Sequence, residues 1–121
     1  MPEQPKLFDQ PRAADAERQI EIERIVLYAL GDFQARGKVL VERELPLDRL
    51  RGALKRAAEA HKVEELRDEQ VVRSLLSLGA SVRQVPSFVA KHPFRVLVPK
   101  ELAARARDAY MIWSEQNTEA R

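Results

Sequence analysis

The stretch Ser81–Lys100, SVRQVPSFVAKHPFRVLVPK, reads as a basic β-hairpin. Phe94, Val96 and Val98 alternate with Arg95, Leu97 and Pro99, the period-two pattern of a half-buried strand. Val82 and Val85 belong to the opposing arm. Pro86, Ser87 and the Lys91-His92-Pro93 triplet place the turn between the arms. Pro93 and Pro99 cannot donate ladder hydrogen bonds, so they belong at strand ends or on an edge. The stretch contains Arg83, Lys91, Arg95, Lys100 and His92, and no Asp or Glu.

Two helical segments precede it. Pro46 opens the first, with Leu47, Leu50, Leu54, Ala57 and Ala58 facing inward, and the helix ends near His61. The second spans about Val63 to Leu78, with Val71, Val72, Leu75, Leu76 and Leu78 as its buried set and Gly79 as its stop. Glu64, Glu65, Asp68 and Glu69 fall in its first turns, where carboxylates complement the helix dipole. That structural role explains them better than metal ligation. Lys38 to Leu45, with Val39 and Val41 alternating, suits a brief strand.

Farther out, Ala13 or Asp15 begins a long helix reaching about Arg36. Ile22, Ile25, Val26, Ala29, Leu30 and Phe33 form its apolar face. Gly37 stops it. After the hairpin, Lys100 to Gln116 forms a last helix with Leu102, Ala106, Ala109, Tyr110 and Trp113 inward. Residues 1–12 carry three prolines and no periodicity, which predicts a flexible tail. The reading is a single domain over 13–117, with 118–121 frayed.

With 121 residues the chain suffices for one core. The absence of cysteine excludes disulfides and thiolate chemistry and suits a reducing cytoplasm. The N-terminus has no signal-peptide apolar region, and the longest apolar run, Ile25 to Leu30, cannot span a bilayer. Net charge is +2 but unevenly placed. Residues 34–100 hold fourteen Lys/Arg and eight Asp/Glu, whereas residues 13–33 hold two and five. A basic centre between acidic flanks fits a polyanion-binding surface, or a mosaic of solvated charges.

The order helix, short strand, helix, helix, strand, strand, helix resembles a winged-helix domain over roughly residues 20–100. The fold class expected is mainly α (α+β), with a β-hairpin wing and an extra C-terminal helix. The resemblance implies nucleic-acid binding through the wing and the helix pair. Two departures stand beside it. The link Ala60-His61-Lys62-Val63 contains no glycine, and the third helix begins with acids that would meet phosphates unfavourably.

Candidate phosphate contacts fall into two groups, since Lys and Arg neutralise phosphates and release counterions. Arg83, Lys91, His92 and Arg95 lie on the hairpin. Arg49, Arg51, Lys55, Arg56, Arg67 and Arg73 lie on the central helices, and Arg73 is the best placed for a base edge. In the tail, Gln4, Leu7 and Phe8 match a pattern that resembles the bacterial sliding-clamp-binding peptide, with Pro5 as a departure. That resemblance implies Gln4 in one subsite and Leu7-Phe8 in an apolar pocket on the clamp. Alternatively, Leu7 and Phe8 fold back onto the domain. On the last helix, Met111 and Ile112 point away from the inner stripe and offer a homodimer or partner patch, beside the plainer reading of core packing.

Catalysis is disfavoured. His61 and His92 lie on different elements, and no Ser-His-Asp set, phosphate loop or HExxH motif is present. No cofactor, metal or membrane partner is expected. The functional expectation is a non-enzymatic, cytoplasmic accessory factor binding DNA or RNA in bacterial replication, repair or transcription. The rival is a protein-interaction adaptor docking through the same fold, the N-terminal peptide or the last helix.

Overall fold

The computed structural model describes residues 13–41, 43–86, 88 and 93–119. It is mainly helical with a small three-stranded antiparallel sheet. Helix α1 covers Ala13–Ala35, strand β1 Leu45–Pro46, a 3-10 turn Leu47–Leu50, helix α2 Arg51–Ala60 and helix α3 Asp68–Leu78. Strands β2 (Ser81–Gln84) and β3 (Phe94–Leu97) follow, then helix α4 (Lys100–Glu119).

Helix α1 is covered on two sides. Ile22, Ile25, Val26, Ala29, Leu30 and Phe33 enter the core with Leu50, Leu54 and Leu75. The opposite side meets α4, and there Gly31 is required. A Cβ at position 31 would collide with the Ala106 carbonyl oxygen and the Tyr110 Cβ. Three residues on, Gln34 Nε2 donates to the Ala103 carbonyl at 2.9 Å. Tyr28 packs on Tyr110 and Trp113, each with ring centroids 4.9 Å apart. These pairings make α1 and α4 antiparallel.

The helix starts differ from the sequence expectation in two places. Pro46 ends a strand instead of opening a helix, because its backbone is extended (φ −63°, ψ 141°). The chain then turns through a 3-10 segment that buries Leu47 and Leu50, and α2 begins at Arg51. Helix α3 starts at Asp68, not Val63. Residues 63–67 are non-helical, burying Leu66 and half-burying Val63. Glu64 and Glu65 therefore sit in a loop, and only Asp68 and Glu69 occupy the first turn. Gln70 Oε1 accepts from the Arg67 N–H at 2.9 Å, fixing this start.

The glycine-free link resolves through Lys62, which adopts φ 59°. The His61, Lys62 and Val63 amides donate back to Ala57, Glu59 and Ala58 carbonyls, closing the end of α2. Gly79 does the same for α3 at φ 111°.

On α3, Val71, Ser74 and Leu75 are buried, while Leu76, expected inside, is 53 % exposed. Ser74 accepts from Gln19, and Ser77 donates to Glu23, so polar straps tie α1 to α3.

The sheet order is β1-β3-β2. Val39 is exposed, and Val41 forms only an isolated parallel bridge to Val98, so the expected strand at 38–45 shrinks to Leu45–Pro46. Helix α4 continues to Glu119, beyond the expected end at Gln116, because no glycine or proline interrupts it. No helix among the described residues is long and apolar enough to cross a membrane.

Candidate nucleic-acid interface

The hairpin register sorts its side chains by face. Val82 opposes Val96, and Leu45 opposes Val96 from the other side. Leu45 and Val96 are buried and Val82 packs on the core, so this face looks inward. By alternation, Arg83 and Arg95, which oppose each other directly, share the outward face.

Two like charges at one cross-strand position repel. Glu44, just before β1, offsets this. Arg83 Nε donates to Glu44 Oε2 at 2.7 Å and its Nη2 to Oε1 at 2.8 Å, a bidentate pair. The Arg83 hydrogen bonds hold the Glu44 carboxyl below its ordinary range, and Arg95 lowers it further. The same contact raises Arg83.

On the central helices the candidates divide. Arg56 is committed to Asp32, with Nη2–Oδ2 at 2.6 Å and Nε–Oδ2 at 2.8 Å. Asp32 is only 3 % exposed and also faces Arg36 Nε at 3.3 Å. Arg51 pairs with Asp68 and, at 3.6 Å, with Glu65. It thereby neutralises part of the acidity at the start of α3. Arg49, Lys55 and Arg73 are exposed and make no ion pair with a described residue. The exposed face of α3 holds Glu69, Arg73, Leu76 and Ser77, a mixed surface, not a basic one. Arg67 is exposed and lines a cleft beside α1 that also holds Glu64 and Glu65.

Lys91 and His92 lie outside the described residues, as do Gln4, Leu7 and Phe8. His61 is half-buried among aromatic rings, in edge contact with Tyr28 at 5.3 Å. Its Nδ1 is 2.9 Å from the Ala57 carbonyl, which can only accept, so Nδ1 donates. Burial, then the neighbouring Tyr110 and Asp32, push the Tyr28 hydroxyl pKa up. This cluster is a packed joint between α1, the end of α2 and α4. Among the described residues no group of three or more His, Asp or Glu is placed to hold a metal ion.

Sequence reasoning missed three features. Asp32 reads as one more acid on α1 until α2 brings Arg56 against it. Glu44 gains meaning only when β1 pairs with β3. Phe88, in the hairpin turn, is 88 % exposed, a fact that period-two counting does not reach. Comparison with protein-family models, curated proteins and solved structures finds no match to this chain.

Proposed function

We propose that this chain is a winged-helix-like, non-enzymatic nucleic-acid-binding factor, contacting the phosphate backbone through the outward face of the hairpin sheet. The observation that carries the reading is the direct opposition of Arg83 and Arg95 on that face. Two guanidiniums on adjacent strands suit the phosphates of one backbone, with Arg83 exchanging its solvent-exposed Glu44 partner for a phosphate. The order of elements supports it, since β1, before the helix pair, adds to the hairpin and joins helices and sheet into one unit. Phe88 adds an exposed ring at the hairpin turn for stacking on a base. Arg49, Lys55 and Arg73, which make no ion pair with a described residue, supply further positive charge. A cytoplasmic role in bacterial replication, repair or transcription follows from the same reading, with Gln4, Leu7 and Phe8 as a peptide for a sliding clamp.

In this picture Arg51 and Arg56 serve the fold, and the mixed face of α3 makes it a secondary contact. The test is polarisation binding to labelled duplex and single-stranded DNA with Arg83→Ala and Arg95→Ala. Each variant should weaken binding and flatten the salt slope by about one unit. Unchanged affinity in both removes the basis of the proposal.

The adaptor reading keeps one specific observation. Met111 and Ile112 stand adjacent and exposed on α4, and Leu76 is exposed on α3. Binding that ignores salt and fails on Met111→Glu would favour it.

A further inference from the structure

We propose that the pocket between the end of α1 and the 3-10 turn is a binding site for a phosphate group. The cavity holds about 210 Å³. Phe33 and Leu45, both buried, line it together with Gly37. Its charged lining is Lys38, Arg43 and Arg49, and no described lining residue is acidic.

Each cation is held on an anchored segment. Gly37 adopts φ 84°, and its N–H donates to the Gln34 carbonyl at 2.9 Å. This turn delivers Lys38 to the pocket. Leu40 and Leu45 are buried on either side of Arg43, and Leu47 and Leu50 on either side of Arg49. The three side chains are exposed and make no ion pair with a described residue. Arg51, Arg56 and Arg83, by contrast, are each matched to a carboxylate. Three positive charges around one cavity repel one another, and a bound dianion reverses that sign.

Size selects the ligand. Pockets for drug-sized molecules hold roughly 300–1,000 Å³, so this one suits a phosphoryl group with little attached. The larger clefts along α1 do not compete as anion sites, because Glu21, Glu64, Glu65 and Glu69 share them with Arg18 and Arg67. Lys38 and Arg43 have no part in the hairpin reading, and the site stands without it. The phosphate comes either from a polynucleotide backbone or from a small phosphorylated molecule.

The experiment is an amide NMR titration of the full chain with inorganic phosphate at constant ionic strength. Saturable shifts centred on Gly37, Lys38 and Arg43 are expected. Arg43→Gln and Arg49→Gln should each weaken phosphate at least tenfold, and Arg107→Gln, at an exposed position on α4 away from both surfaces, should leave it unchanged. Both replacements are at exposed positions, and retained amide dispersion in each variant shows that the fold survives. No saturable shift in the parent, or equal shifts in Arg43→Gln, overturns the site. A second titration, with an oligonucleotide present, identifies the source. Loss of the phosphate response assigns the pocket to a nucleic-acid backbone. An undiminished response assigns it to a small phosphorylated molecule, and both results uphold the site. Loss of DNA binding in Arg83→Ala bears only on the hairpin.

Discussion

At the scale of single residues, two carboxylates hold their arginines on different terms, Asp32 in a buried pair with Arg56 and Glu44 in an exposed one with Arg83. Asp32 is buried and needs a cation, because an unpaired buried charge is far costlier than a paired one. Arg56→Ala leaves Asp32 with the longer Arg36 contact among the described residues and should cost about 3 kcal/mol in urea unfolding. Arg56→Lys should recover part of it. A loss of DNA binding in Arg56→Ala therefore reports on the fold and not on a phosphate contact. Glu44 is different, being solvent-exposed. Its folded pKa is depressed, so the pair's contribution is present above the ordinary carboxylate value and is lost as pH falls through the folded one. Titration of the Glu44 carboxylate by NMR should give a midpoint below 4.5. In Arg83→Ala it should return toward that value. An identical midpoint in both proteins would mean that the bidentate pair does not persist in solution.

At the scale of elements, the α1–α4 contact is set by one atom that is missing. Gly31→Ala should lower stability by about 1–3 kcal/mol through overpacking, despite alanine's better helix propensity. Gly52→Ala is the matched control on α2. Its Cβ would meet only the tip of Arg56 at 3.5 Å, an ordinary contact, so it should stabilise by up to about 1 kcal/mol. Equal effects of the two changes in denaturant midpoints would contradict the close crossing. The long helices and the hairpin were legible because periodicity and glycine stops are local. Ile22 to Phe33 repeats with the helix, and Phe94, Val96 and Val98 repeat with the strand. The starts of α2 and α3 were not legible. Pro46 fits a strand end as well as a helix start, and Leu66 is pulled into an extended segment by the core, a tertiary demand. Leu76 continues a helical apolar pattern that the neighbouring elements do not cover.

At the scale of the whole molecule, the charge asymmetry in the chain acquires a geometry. The basic residues between 34 and 100 separate into Arg36, Arg51 and Arg56, which face Asp32, Asp68 and Glu65 within the fold, and those on outward faces, among them Arg83 with its solvent-exposed partner Glu44. Arg83 and Arg95 were legible as hairpin cations from an acid-free run of sequence. The pairing of Arg51 and Arg56 was not, because their partners lie 17 and 24 residues away along the chain. Nor was the cavity formed by Lys38, Arg43 and Arg49, since it needs the turn after α1 to fold against the 3-10 segment.

The central claim is phosphate-driven binding. It is tested most directly by measuring the affinity of the full chain for duplex and single-stranded DNA at about 50 and 200 mM salt. With only two to five phosphate contacts, affinity should fall by roughly tenfold to a few hundredfold between them, following the counterion slope. Binding that is absent at the lower salt, or equal at both, contradicts the claim and turns attention to the exposed apolar residues of α3 and α4.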